Sequence, residues 1–177
     1  MRNGVVFGLP AFNEHIFADA LVERMPAAES VRFTKTGTEA CMAAVRIARC
    51  ATGRDVVVTT RGSYHGWAEW YVACRESHAG IPEALTGLIR VAEYNDIDSM
   101  NDLLSDDVAC VIMEPTLMTP PAPGYLEAVV KLARSKGALV VWDEMILGYR
   151  LALGGGSEYY GVVPDIATYG KAIGNGI

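Results

Sequence analysis

Gly124-Tyr-Leu-Glu-Ala-Val-Val-Lys-Leu-Ala-Arg-Ser-Lys-Gly137, followed by Ala138-Leu-Val-Val-Trp142 and then Asp143-Glu144, decides the fold class of this chain. Residues 124–136 carry apolar side chains at helical spacing, Gly137 stands where a helix cap belongs, and residues 138–142 form an apolar run of strand length. The same pattern recurs upstream. Residues 38–52 read as a helix rich in Ala, Met, Ile and Val with Gly53 as its cap, and Asp55-Val-Val-Val-Thr-Thr60 follows as a β-branched strand. Residues 96–104, apolar at Ile97, Met100, Leu103 and Leu104, lead to Val108-Ala-Cys-Val-Ile-Met113, a strand that ends at Glu114-Pro115. Residues 88–92 and 165–169 read as further short strands. Residues 12–25 place Ile16, Phe17, Ala20, Leu21 and Met25 on one helical stripe before Pro26, an amphipathic helix expected to pack on the main body. Strands apolar on both faces need cover on both faces, so the expected fold is α/β: three layers, a mostly parallel sheet with helices on both faces.

At 177 residues the chain has the length of one domain or of part of one, and a net charge of -6 spread without a basic run makes nucleic acid and anionic membranes poor partners. The first ten residues have too short an apolar run for a secretory signal, and no stretch approaches membrane-spanning length, so the expected location is the cytoplasm. Cys41, Cys50, Cys74 and Cys110 lie in apolar settings without C-x-x-C spacing and read as reduced structural cysteines. Three scattered histidines offer no metal-ligand pattern, and no metal is expected. Residues 116–123 hold three prolines and form an ordered loop. The chain stops at Gly170-Lys-Ala-Ile-Gly-Asn-Gly-Ile177 without closing an element, which gives it the look of a truncated chain.

In open parallel sheets ligands bind outside the carboxyl ends of the strands. Tyr64, Glu114 and Asp143 all fall there, in three separate parts of the sequence. Thr36-Gly-Thr-Glu39 precedes a helix and reads either as a capping box or as an anion site, where free N–H groups, the helix dipole and two hydroxyls converge on a phosphate; the two roles can coexist. Asp143-Glu144 after an apolar strand also suits a P-loop ATPase, but that chemistry needs G-x-x-x-x-G-K-[ST], and neither Gly170-Lys-Ala172 nor Thr34-Lys-Thr-Gly37 supplies it. A single loop lysine is ordinarily a solvated charge. Lys171 differs by its company: an amine, a strand-end Asp, an aromatic loop and a phosphate-competent helix start are the parts needed to hold pyridoxal 5'-phosphate. Lys171 would form an imine with the cofactor aldehyde, Asp143 would keep the ring nitrogen protonated, and Tyr64 would stack on the ring. His65 reads as an ordinary loop residue or a supporting neighbour. Glu114 would either orient cofactor or substrate or answer an arginine or backbone donors structurally. Alternation turns Trp142 and Met145 away from Asp143, although Met145 could still pack under the ring.

Thr36-Gly-Thr-Glu-Ala40, Gly62-Ser-Tyr-His-Gly66, Val111-Ile-Met-Glu-Pro115, Asp143-Glu144 with Gly148-Tyr-Arg150, and Pro164-Asp165 leading to Gly170-Lys171 resemble, in order and spacing, the class III aminotransferases, most of all their glutamate-1-semialdehyde aminomutase branch. The resemblance runs from about Val5 onward. It implies a partial large domain, over 1–177, of a fold-type I pyridoxal-phosphate enzyme, without that family's N-terminal segment and small C-terminal domain. It implies a homodimer or higher self-association, and amine or amino-acid and carbonyl substrates. By motif position Lys171 and Asp143 would be catalytic, and Thr36, Gly37, Thr38, Tyr64, His65, Glu114 and Met145 would join them around the cofactor. The implied mechanism is ping-pong transamination, with an aminomutase or a non-catalytic truncated subunit as alternatives. Thr36 stands where relatives usually have serine, Met145 where they have valine, and Thr116-Leu-Met-Thr119 where they often have a polar residue near the cofactor's phenolic oxygen.

Overall fold

The computed structural model describes residues 11–174. The leader-free reading of residues 1–10 and the last glycine-rich positions, 175–177, lie outside the described residues. The elements run α1 (Phe12–Arg24), α2 (Gly37–Thr52), β1 (Val56–Thr60), α3 (Glu69–Val72), α4 (Glu83–Thr86), β2 (Ile89–Ala92), α5 (Ile97–Leu103), β3 (Val108–Met113), α6 (Tyr125–Ser135), β4 (Leu139–Glu144), α7 (Gly155–Tyr160), β5 (Ile166–Tyr169) and a 3-10 turn (Lys171–Gly174). The five strands form one sheet in the order β2-β1-β3-β4-β5, and every pairing is parallel.

Alternating side chains divide the strands between two cores. On one face Val57, Cys110, Ile112 and Val141 pack under Cys41, Ala44, Val45 and Ala48 of α2. On the other, Val58, Val111, Met113, Val140 and Trp142 pack against Met100 and Leu104 at α5 and Leu126, Val129 and Ala133 of α6. This is the expected three-layer α/β arrangement, and the physical reason is the one read from the strands: β1 and β3 are buried at every position. The chain leaves β1 toward β2 on one side and returns to β3 on the other, so the sheet has a switch point between β1 and β3. A crevice opens at the carboxyl ends there.

Local signals survive intact. Thr36 caps α2 in a two-way capping box with Glu39, and Gly53 (φ 67°) and Gly137 (φ 72°) take the left-handed conformation after α2 and α6. Two expectations need correction. The stripe of α1 settles on the body only at its end: Leu21 and Met25 are buried, whereas Phe12, Ile16 and Phe17 are exposed, and Phe17 stacks on Phe33 with ring centroids 5.6 Å apart. Cys50 is exposed, because it lies on the outer side of α2 while Cys41 lies on the inner side. Strand β4 runs through Asp143 and Glu144 and buries both carboxylates at its carboxyl end.

Helix α7 has no strong signal in Gly154-Gly-Gly156, since three glycines are poor helix formers. Glu144 supplies the anchor. Its carboxylate accepts from the Gly156 N–H at 2.5 Å and from the Ser157 N–H and hydroxyl at 3.3 and 3.0 Å. Burial pushes its pKa up, and those three bonds work against the rise. A Cβ on Gly155 (φ 70°) would run into the same carboxylate, so a glycine is required there. Glu144→Ala is expected to strand these buried donors and lower stability by about 3 kcal/mol. The check is a lower urea midpoint with unchanged slope.

Candidate functional site

The start of α2 supplies the first part of the site. Glu39 accepts from the N–H groups of Lys35 and Thr36 at 2.8 and 2.9 Å, and its own N–H donates to the Thr36 hydroxyl at 3.2 Å. Those bonds complete the cap without using the N–H groups of Gly37 and Thr38, which have no partner among the described residues. The cap therefore leaves two donors free at the helix start, and an anion bound there would draw on donors that the cap does not use.

The loop after β1 closes over this helix start. Gly62 and Gly66 take φ values of 91° and 90°, and a Cβ on Gly66 would collide with Thr38. Only glycine lets the loop approach so closely in that conformation. The loop is braced from beneath: Thr60 and Ser63 share a 2.7 Å hydroxyl bond, and the Tyr71 hydroxyl donates to the Ser63 carbonyl. Tyr64 projects outward, 62% exposed, with its N–H donated at 2.9 Å to the Glu114 carboxylate at the end of β3. Glu114 thus has a backbone donor of the kind the structural reading asks for, and no arginine partner among the described residues. Burial raises its pKa, the Tyr64 N–H opposes that rise, and the Asp143 charge adds to it.

Asp143 is the electrostatic centre. It faces α2, pairs across the sheet with Thr168 on β5, and is 1% exposed. One oxygen accepts from His65 Nδ1 at 2.8 Å and from Cys41 Sγ at 3.3 Å; the other accepts from the Met145 N–H at 3.0 Å and the Thr168 hydroxyl at 3.3 Å. Burial alone would raise its pKa, but the hydrogen bond and charge of His65, with the Met145 N–H and the Cys41 thiol, outweigh burial and hold it below the ordinary carboxylate value. The carboxylate can only accept, so His65 Nδ1 carries a proton, and Nε2 lies 3.1 Å from the Thr59 hydroxyl. Trp70 stacks beside the imidazole with centroids 6.4 Å apart and Tyr71 meets it edge-on. His65 is thus a buried partner of Asp143, a closer association than its place in a glycine loop suggests.

Met145 is the other correction. Its N–H bonds back to Asp143, which turns the chain out of β4 and ends the alternation at Glu144. Trp142 does point to the far core, but Met145 lies between α2 and the segment before Lys171: its sulfur would be 3.1 Å from a Cβ on Gly37 and would block one on Gly170. Lys171 begins the 3-10 turn after β5, exposed, with φ 46° in the left-handed region that non-glycine residues rarely occupy.

These parts border one cleft of about 1130 Å³ between α2, the loop after β1 and the ends of β4 and β5. Every site residue expected from the sequence lines it except Glu114, which acts on it through Tyr64. Two residues missed by sequence reasoning, Cys41 and Thr168, also line it. Neither sits in a motif, and only helix phase and sheet register bring them to Asp143. The sequence shows no metal-ligand spacing, yet folding gathers Cys41, His65 and Asp143 so that one ligand atom of each lies within 4.8 Å of the others. All three atoms are engaged with one another in hydrogen bonds to Asp143. Among the described residues no helix is long and apolar enough to cross a membrane.

Comparison with known proteins reaches the same ground. The chain is 41% identical, over 98% of its length, to a glutamate-1-semialdehyde 2,1-aminomutase of Pelotomaculum thermopropionicum, of which it covers 44%. Among solved structures it superposes on an omega-transaminase from Sphaerobacter thermophilus with a TM-score of 0.90 and 31% identity, over 99% of this chain and 45% of that one. It matches a transaminase with PLP bound at a TM-score of 0.91 and 31% identity, over 98% of this chain and 44% of that one. The chain spans less than half the length of these relatives. The family pattern described as aminotransferase class-III matches residues 5–177, nearly the whole chain, and this protein belongs to that family.

Proposed function

We propose that the cleft binds pyridoxal 5'-phosphate and that this chain is the cofactor-binding part, a partial large domain, of a transaminase moving an amino group between an amine or amino acid and a carbonyl acceptor. One observation carries the reading: a buried carboxylate held below its ordinary pKa shares a cleft with a lysine amine and two partnerless N–H groups at a helix start. The donor set fits the group. An anionic phosphate suits the Gly37 and Thr38 N–H groups, a cationic ring N–H suits Asp143, and a flat ring suits the aromatic face of Tyr64 and the soft thioether of Met145.

When bound, the cofactor supplies an aldehyde that exchanges amines and a protonated ring that withdraws electron density. Asp143 holds the proton on the ring nitrogen, because an ionised, water-excluded carboxylate is a strong acceptor for a cationic donor. His65 keeps that carboxylate ionised and aimed, with its ring fixed between Asp143 and Thr59. Lys171 Nζ would hold the cofactor at its aldehyde and, when its amine is free, would serve as the base that moves a proton at the substrate carbon. Glu114 holds Tyr64 in place.

A cytoplasmic location and a homodimer or higher self-association belong to the same proposal. The apolar side chains Phe12, Ile16 and Trp67, all largely exposed, support association, since such surface gains by burial against another chain. A second reading, an aminomutase, has specific support in the 41% identical relative. The test of the main reading is a visible absorption band when pyridoxal 5'-phosphate is added to the purified protein; no band at saturating cofactor overturns it. Release of a keto product from an amine donor supplied without an acceptor, one per site, favours the transaminase, whereas a mutase returns the amine to the same carbon skeleton.

A further inference from the structure

Asp143 accepts from four donors: His65, the Met145 N–H, Cys41 and Thr168. Two carboxylate oxygens offer about four lone-pair sites, so the group is full before any ligand arrives. The proposed function asks Asp143 to receive a cationic N–H as well, and one present donor must then withdraw. Met145 donates from backbone and cannot swing away. His65 is the shortest contact, at 2.8 Å, and its ring is locked between Thr59, Trp70 and Tyr71. The two remaining donors both stand at 3.3 Å. Of these, a thiol is the weaker donor, and Cys41 Sγ has a second partner within reach, the Thr168 hydroxyl at 3.8 Å. Cys41 is buried on α2 at the floor of the cleft, and burial beside the Asp143 charge raises its pKa, so it keeps the proton it donates.

We infer that Cys41 is a positioning residue: its thiol occupies a lone pair of Asp143 while the cleft is open and yields that lone pair to the ring nitrogen by turning to Thr168. The inference rests on the proposed cofactor reading. It makes donor strength, not side-chain size, the property that matters at position 41. A stronger donor there competes with the ring N–H, and an absent one does not. Thr168 matters as the group to which the thiol retreats.

The test compares wild type, Cys41→Ser and Cys41→Ala in the purified protein. It uses pyridoxal 5'-phosphate labelled with 15N in the ring, and reads the ring nitrogen's chemical shift and the dissociation constant. Cys41→Ser, an isostere with a charge-competent hydroxyl, is expected to weaken cofactor binding by about fivefold, the span between a weak and a charge-assisted donor, and to move the ring nitrogen toward its unprotonated shift. Cys41→Ala is expected to bind at least as tightly as wild type with the ring nitrogen fully protonated. A packing role predicts the reverse order, with serine close to wild type and alanine impaired, and that order overturns the inference. A second measurement does not depend on either variant alone. Thr168→Val removes one of the four donors and so frees a lone pair of Asp143; in that background the penalty of Cys41→Ser should vanish, and an equal penalty in both backgrounds overturns the inference. If wild type takes up no cofactor, the proposed function itself fails; if wild type binds and the order is reversed, only the role of Cys41 does.

Discussion

Lys171→Ala protein, mixed with pyridoxal 5'-phosphate and treated with borohydride, is expected to carry no covalently fixed cofactor, while wild type carries the label on the peptide containing residue 171. Amino transfer should fall by about 10⁴-fold or more, since the variant loses both the nucleophilic amine and the general base. The effect has a structural basis beyond the amine. Lys171 is exposed at the rim of the cleft, and its left-handed backbone at φ 46° aims it from the end of β5 in a direction that an ordinary strand exit would not give. The variant should unfold at a midpoint no lower than wild type, because an exposed side chain in that conformation contributes little to packing. Label retained elsewhere in the variant at wild-type stoichiometry would show that another lysine does the work.

Asp143→Asn is expected to be the second largest loss, about 10²–10³-fold in transfer, because the amide keeps the shape and removes the charge that opposes a cationic ring nitrogen. The visible band should persist with altered position, since Lys171 and the helix start are untouched. The same variant carries a stability signature. Asp143 has a folded pKa below its ordinary 3.8, so its ionised form contributes stability that is fully present above that value. That contribution fades as pH falls through the folded value. Urea unfolding should therefore separate wild type from variant most at neutral pH, with the difference closing below about pH 4. A difference that grew on acidification would contradict the assignment of His65 as the partner that holds Asp143 ionised.

Much of this was legible from residues alone, and for a local reason. Gly53, Gly137 and the Thr36–Glu39 box act within one turn of chain, so their signals needed no tertiary information. Runs such as residues 108–113 are apolar on both faces, and that property by itself demands a covered parallel sheet. The order of Tyr64, Asp143 and Lys171 along the chain placed each at the carboxyl end of a strand, so their meeting at one crevice followed from topology.

What only the tertiary structure decided lies in the contacts between elements. Met145 turned inward because its own N–H bonds Asp143, a bond that ends the strand alternation. Glu144 became the anchor of α7, an element that three glycines conceal. Glu114 met the N–H of Tyr64, fifty residues away in the chain. His65, Cys41 and Thr168 reached Asp143 from a loop, a helix and a neighbouring strand, at sequence separations of 78, 102 and 25 residues. Sequence determined the fold class and where along it the chemistry sits, because backbone propensity and burial pattern are short-range properties. The state of the central carboxylate was decided by packing, because charge and hydrogen bonding depend on distance in space and not on distance along the chain.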